Sequence, residues 1–274
     1  MGTLYLVGTP IGNLEDVTLR ALRILREVPL IAAEDTRQTR KLLDRYDIHQ
    51  PLVSYFEHNE RARVGPLLDR LQHGDLALVS EAGMPAISDP GYALVTAAID
   101  AGIPVVPIPG PSAPIAALAA SGLPTDQFVY LGFLPRRSGE RRKLLRTIVH
   151  EPRTIVAFEA PHRLVDSLED VVAELGDRRV VVARELTKIH EELARGVASD
   201  LLAGLRESPP RGEVTLVIEG AVEGEPVDLA TRLRELIDDG LSNRDVIGTL
   251  VAETGAPRRH IYRLLLDARK CVKM

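Results

Sequence analysis

Residues 3–13, Thr3-Leu-Tyr-Leu-Val-Gly-Thr-Pro-Ile-Gly-Asn13, form a short apolar run broken by glycine and proline. Such a run reads as a buried strand ending in a turn. The same pattern recurs at Leu30–Ala33, Leu76–Val79, Val105–Ile108, Phe128–Leu131, Thr154–Phe158, Val180–Ala183 and Val214–Ile218. Between these runs lie stretches with apolar residues at helical spacing: Val17–Glu27, with Asp16 as its expected N-cap, then Gly91–Ala101, Ser112–Ala120, Gly139–Val149 and Arg163–Leu175. Strands alternating with helices predict an α/β protein, with mainly parallel pairing in its first half.

Three expected domains follow from the punctuation. Five prolines and a glycine crowd Ile103–Pro114, so an N-terminal α/β lobe is placed at 1–111 and a second at 112–222. After Gly220–Pro226 no strand pattern appears, and 226–274 reads as a small helical domain. There Ser242 and Asp245 have capping-box spacing ahead of the apolar face Val246, Ile247, Leu250 and Val251. Thr254–Pro257 then leads into a basic helix, a helix-turn-helix pattern that reads equally as a packing module.

The chain has 274 residues, a formal charge of −5 and one cysteine, Cys271. A single cysteine excludes an internal disulfide, and no apolar run approaches the length of a membrane span. With no basic stretch and signal core before the first strand, the expectation is a cytoplasmic protein. Charge is nevertheless local: residues 136–146 and 258–274 each hold six basic residues against one acidic residue. The net charge argues mildly against a nucleic-acid partner, but Arg136, Arg137, Arg141, Arg142, Lys143, Arg258, Arg259 and Arg263 are candidate local nucleic-acid contacts, against the plainer reading of solvated helix faces. Aromatic residues are only 4% of the chain, which favours recognition of phosphate and shape over base stacking.

Small-residue turns follow three strands, at Gly8–Asn13, Ser80–Gly91 and Pro109–Ser112. In an open parallel sheet the crevice at the carboxyl ends of the strands is where ligands bind. Neither dinucleotide nor P-loop fingerprint is present, no nucleophile elbow surrounds Ser112, and no histidine has zinc spacing, so no metal is expected.

Three segments, VGTPIGN (7–13), SEAGMPAISDPG (80–91) and VVPIPGPSA (105–113), together resemble the tetrapyrrole methylase superfamily. AAEDTR (32–37), GFLPRR (132–137), FEAPHR (158–163), RELTKIHEE (184–192) and GEVTLVIEG (212–220) look like its ribosomal RNA small subunit methyltransferase I branch. Glu81 and Met84 depart from that branch, which usually has Asp and Thr there; the swap is expected to retune the site without abolishing it.

The resemblance implies a two-lobed, class III methyltransferase fold, a homodimer, and S-adenosylmethionine in the cleft between the lobes. The implied reaction is 2′-O-methylation of a decoding-centre cytidine in 16S ribosomal RNA. Residues Pro10, Ala82, Gly83, Met84, Ile87, Ser88, Ser112 and Ala113 would line the cleft from the first lobe, and Phe133, Leu134, Glu213, Val214 and Thr215 from the second. Asp35, Glu159, His162 and Glu185 are the candidate proton acceptors, each beside a strand end, where a helix cap or an ion pair is the plainer reading. Arg37, Arg163 and Arg184 stand near them as cations able to grip phosphate. Competing readings are a small-molecule tetrapyrrole methyltransferase, a non-catalytic RNA-binding assembly factor, and a generic nucleotide-binding enzyme.

Overall fold

The computed structural model describes residues 1–207, 212–221, 229–238, 241–254 and 256–271. The chain divides into two compact units, Met1–Ala221 and Val222–Met274.

The first unit begins with five strands: β1 (Leu4–Val7), β2 (Ile31–Ala33), β3 (Leu52–Ser54), β4 (Leu76–Val79) and β5 (Val105–Ile108). They form one sheet in the order β3-β2-β4-β1-β5, every pair parallel. Parallel strands need crossovers, and the helices α1 (Leu19–Glu27), α2 (Thr36–Arg45), α3 (Glu60–Leu71) and α4 (Tyr92–Asp100) supply them. Leu22, Leu25, Leu42 and Leu43 of α1 and α2 pack on Val7, Ala77 and Val79. Leu67, Leu71, Leu94 and Ala98 of α3 and α4 pack on Leu4, Leu76 and Leu78 of the other face. Both faces are covered, which is why the strands read as unbroken apolar runs.

The second half of this unit adds α5 (Ala113–Ser121), β6 (Phe128–Phe133), α6 (Ser138–Thr147), β7 (Thr154–Glu159), α7 (Leu164–Leu175), β8 (Arg179–Arg184), β9 (Glu192–Val197), α8 (Ala198–Glu207) and β10 (Val214–Ile218). The sheet order is β6-β7-β10-β8-β9. Only β6 and β7 pair in parallel; the other neighbours are antiparallel. Helices α6, α7 and α8 cover one face, and Ala117 and Leu118 of α5 pack on the other.

The second unit is α9 (Leu229–Asp238), α10 (Asn243–Thr254) and α11 (Arg258–Cys271), around Leu233, Leu236, Val246, Ile247, Leu250, Ile261 and Leu265. Ser242 Oγ accepts from the Asp245 N–H at 3.3 Å, the capping contact expected from the spacing. The Gly255 turn and most of the 220–226 boundary lie outside the described residues.

Several expectations need correction. Thr18, not Asp16, caps α1, accepting from the Ala21 N–H at 3.1 Å. Asp16 sits in a single 3-10 turn, Leu14–Asp16, because the chain bends once more before the helix starts. Strands β3 and β9 escape the sequence reading because β3 is only three residues long and β9 is broken by Arg195 and Gly196, so neither offers an apolar run of strand length. The basic run 136–146 also changes meaning. Arg141 is 2% exposed and its Nε donates to Asp170 at 2.7 Å, so it cannot meet RNA. Arg142 and Arg146 both pair with Glu174 on α7. Arg136, Arg137 and Lys143 are exposed. Among the described residues no helix is long and apolar enough to cross a membrane.

Arg141 therefore staples α6 to α7, helped by Ser138 Oγ donating to Asp170 at 2.9 Å. Truncating one member of a buried pair strands the other charge. Arg141→Ala should cost about 3–5 kcal/mol of unfolding free energy, measurable by urea denaturation, whereas Lys143→Ala should be near neutral.

Candidate functional site

The carboxyl edge of the first sheet carries the three small-residue turns, and main-chain contacts lock them together. Thr9 and Gly83 exchange hydrogen bonds, N–H to O at 2.9 Å and 3.0 Å. Gly8 and Gly110 touch backbone to backbone: a methyl group on Gly8 would lie 2.8 Å from Gly110 Cα and from Met84 Sδ. The turn from 83 to 91 runs through left-handed geometry at Gly83, Ala86, Ser88 and Gly91, with φ of +78°, +69°, +64° and +144°. Two of these residues carry a Cβ, which costs about 1–2 kcal/mol each and has to be compensated by surrounding contacts. One such contact is Ser88 Oγ to the Tyr130 hydroxyl on β6, 2.8 Å apart.

Beside these turns lies a cavity of about 400 Å³, walled by residues of both sheets. Ile11, Ala82, Gly83, Met84, Ile87, Ser112 and Ala113 line it from the first half; Tyr130, Phe133, Phe158, Val214 and Thr215 line it from the second. The β6–β7 register shifts between Tyr130 and Phe133, next to Gly132 at φ +66°. That bulge turns Phe133 outward, leaving it 58% exposed with its ring 5.2 Å from that of Phe158.

Most of the expected cleft residues are thus brought together: Ala82, Gly83, Met84, Ile87, Ser112, Ala113, Phe133, Glu213, Val214 and Thr215 all line the cavity. Three do not. Leu134 is buried in the core beneath α6 and α7, because the bulge that exposes Phe133 sends its neighbour inward. Pro10 is buried, and Ser88 acts through Tyr130.

The candidate proton acceptors separate sharply. Asp35 caps α2, accepting from the Arg37 N–H at 2.8 Å, and hydrogen bonds from Arg37 hold its carboxyl below the usual range. Glu185, at φ +51°, accepts from Lys188 Nζ at 2.9 Å and from the Glu213 N–H at 3.0 Å, and the Lys188 contact draws its carboxyl down. His162 is exposed in the turn Pro161–Arg163. None of these three lines the cavity; only Glu159 does. Arg163 and Arg184 are engaged by Glu159 and Glu192, and Arg37 by Asp35, so all three are partnered cations.

Among the lining residues, sequence reasoning missed Ile11, Glu34, Glu81, Asp89, Tyr130 and Phe158. Glu34 and Asp89 lie within AAEDTR and SEAGMPAISDPG, two stretches that carry the family likeness, so their position after strand ends was an available signal. Tyr130 and Phe158 gave none, since only the bulge and the sheet pairing face them into the cavity.

The electrostatics are one-sided. Five carboxylates line the cavity, those of Glu34, Glu81, Asp89, Glu159 and Glu213, and no lysine or arginine does among the described residues. Burial raises Glu34, and burial together with the Glu34 and Glu81 charges pushes Asp89 up to about 7. Such a cavity suits a cation with an apolar body. Among the described residues no group of three His, Cys, Asp or Glu is placed to hold a metal ion.

An all-parallel sheet and a mixed sheet sharing one cavity is the architecture of class III methyltransferases. The match includes diphthine synthase, with a TM-score of 0.62, 17% identity and coverage of 80% of this chain and 90% of that one. It also includes uroporphyrin-III C-methyltransferase from Thermus thermophilus complexed with S-adenosylhomocysteine, with a TM-score of 0.55, 22% identity and coverage of 80% and 97%. The family model for tetrapyrrole (corrin/porphyrin) methylases matches residues 3–202. Ribosomal RNA small subunit methyltransferase I of Halalkalibacterium halodurans is 48% identical, covering 96% of this chain and 94% of that one. The Synechocystis protein of the same name is 49% identical, covering 97% and 98%. The Thermotoga maritima one is 50% identical over 99% of its own length but only 80% of this chain. The chain belongs to the tetrapyrrole methylase family, in its ribosomal RNA small subunit methyltransferase I branch.

The Gly8–Gly110 crossing leaves no room for a side chain. Gly8→Ala and Gly110→Ala should each lower stability by about 1–3 kcal/mol, seen as a fall in unfolding temperature, while Gly139→Ala, with open space around it, should not.

Proposed function

We propose that this protein is a cytoplasmic, homodimeric methyltransferase that uses S-adenosylmethionine to methylate the 2′-hydroxyl of a decoding-centre cytidine in small-subunit ribosomal RNA. The observation that carries the reading is the acidic, partly apolar cavity walled by both sheets, in a chain 48% identical to a relative named ribosomal RNA small subunit methyltransferase I.

The cavity fits the donor on three counts. Its size, about 400 Å³, lies in the range of small-molecule sites. Its turns at Ala82–Met84 and Ser112–Ala113 offer main-chain groups that a ligand can approach closely, because Gly83 adds no side chain there. Of its five carboxylates Glu159 and Glu213 pair with Arg163 and Lys188, and Glu34, Glu81 and Asp89 complement a cationic ligand, while Ile11, Met84, Ile87, Phe133 and Val214 cover apolar parts. When bound, S-adenosylmethionine supplies an already activated methyl group, so the protein's contribution is alignment, exclusion of water and acceptance of one proton.

The nucleic-acid side of the reading rests on exposed cations. Arg136 and Arg137 follow Phe133 by three and four residues, which keeps them close to the cavity along the chain, and Lys143 continues the exposed face of α6. Arg258, Arg259 and Arg263 are exposed on α11 of the second unit.

Incubation with labelled methyl donor and undermethylated small subunits should place label on one cytidine ribose, located by mass spectrometry. Label on a base nitrogen, or none on RNA, would falsify this assignment. Arg136→Ala, Arg137→Ala and Lys143→Ala combined should weaken RNA binding and flatten its log-log salt dependence by about one for each phosphate no longer neutralised. An unchanged slope would remove this face from the interface.

A further inference from the structure

The five carboxylates of the cavity differ in what already holds them. Glu159 is 1% exposed and accepts from the Ala160 N–H at 2.6 Å, from Ser167 Oγ and from Arg163. Glu213 pairs with Lys188 at 3.3 Å. Glu34 accepts the Glu81 N–H at 3.1 Å, and Glu81 itself is exposed to water. Glu34 and Asp89 are both half-buried and among the described residues feel like charges and no cation; Glu34 is held by a main-chain N–H, whereas Asp89 has only a hydroxyl, Ser80, beside the charges of Glu34 and Glu81.

Its placement is held from both sides. The Ala86 N–H closes the turn onto the Pro90 carbonyl at 3.3 Å, and Ser88, the residue before Asp89, is tied to Tyr130 of the second sheet. Ala86 and Ser88 hold left-handed geometry, so strain fixes the direction of the turn that presents Asp89.

We propose that Asp89 is the proton acceptor for the methyl transfer, its carboxylate receiving the hydrogen of the attacking substrate hydroxyl. This rests on the cavity being the donor site. As the hydroxyl oxygen bonds to the methyl carbon, its proton passes to Asp89 Oδ. The electron pair of the breaking carbon–sulfur bond stays on sulfur, which becomes a neutral thioether. Asp89 then returns its proton to water. One cation and one carboxylate become neutral together, so the acidic cavity favours the charged reactants only as long as Asp89 is ionised.

The titration supports that geometry. Burial first, then Glu34 and Glu81, raise Asp89 to about 7 from an ordinary value near 3.8. A base poised there is half ionised at neutral pH and strong enough to take a proton as the new bond forms. Facing it are Glu34 from the end of β2, Glu81 and Ser80 from its own turn, and Tyr130 from β6, whose hydroxyl burial keeps protonated. Only ionised Asp89 accepts a proton, so activity should fall as pH drops through about 7.

The test is single-turnover methylation of undermethylated small subunits as a function of pH, run beside calorimetry with S-adenosylhomocysteine and carboxyl-carbon NMR of the free protein. The wild type should show an acidic limb, and a carboxyl titration, centred near 7. Asp89→Asn should lose the titration and slow transfer about 10²- to 10⁴-fold. Its affinity for S-adenosylhomocysteine should stay within about threefold, since only the transition state is affected. Glu34→Gln removes a like charge and should move the limb to lower pH. Transfer by Asp89→Asn within about tenfold of wild type, or an affinity loss as large as the rate loss, overturns the proposal. So does a Glu34→Gln limb that does not move, which decides the matter if Asp89→Asn folds poorly. A wild-type protein that methylates no small-subunit RNA overturns the substrate reading instead, and this proposal with it, before any variant is compared.

Discussion

Main-chain contact between glycines holds the ligand-facing edge of the molecule together. Gly8 and Gly110 meet with no space for a Cβ, and the Thr9–Gly83 pair adds a two-bond bridge between two turns that are far apart in the chain. Three separate strand ends are thereby drawn into one wall. The strained turn through Ala86 and Ser88 can persist because this wall and the Tyr130 hydroxyl hold it from either side. A cavity follows without any one loop having to form it alone.

Within that cavity, environment assigns roles to chemically identical groups. Glu159 is buried, yet its oxygens are taken up by Arg163, Ser167 and a main-chain N–H, which makes it a structural carboxylate. Asp35 and Glu185 are drawn low by Arg37 and Lys188 and lie outside the cavity lining. Asp89 has shelter without a cation, and shelter without a cation is what raises a carboxyl toward neutrality. The sorting variable is the partner of each carboxylate, and partners are a property of the fold.

The basic run on α6 shows the same lesson with the sign reversed. Counted along the chain it is a cluster of six cations. In three dimensions Arg141, Arg142 and Arg146 face Asp170 and Glu174 on α7, while Arg136, Arg137 and Lys143 point outward, Arg137 within 3.7 Å of Glu140. Helix-to-helix ion pairing and nucleic-acid contact draw on the same residue types, so composition cannot separate them.

Local pattern in the chain is enough to specify most of the alternation of strands and helices (α3 and α8 are not read from it), the parallel first sheet, the capped helical tail and most segments that wall the cavity. Apolar runs of strand length, helical spacing, and glycine or proline where the backbone must turn all act over a few residues. Strands β3 and β9 are illegible at that range because one is three residues long and the other is broken by Arg195 and Gly196, and the cap of α1 is displaced by one short turn. The facing of Phe133 to the cavity and Leu134 to the core comes from three-dimensional packing, since a bulge at Gly132 sets that choice. So does the identity of the sheltered carboxylates, Glu34 and Asp89, that lack a cation among the described residues. Glu34, Glu81 and Asp89 converge from separate strand ends, and charge interactions depend on distance in space rather than on distance along the chain.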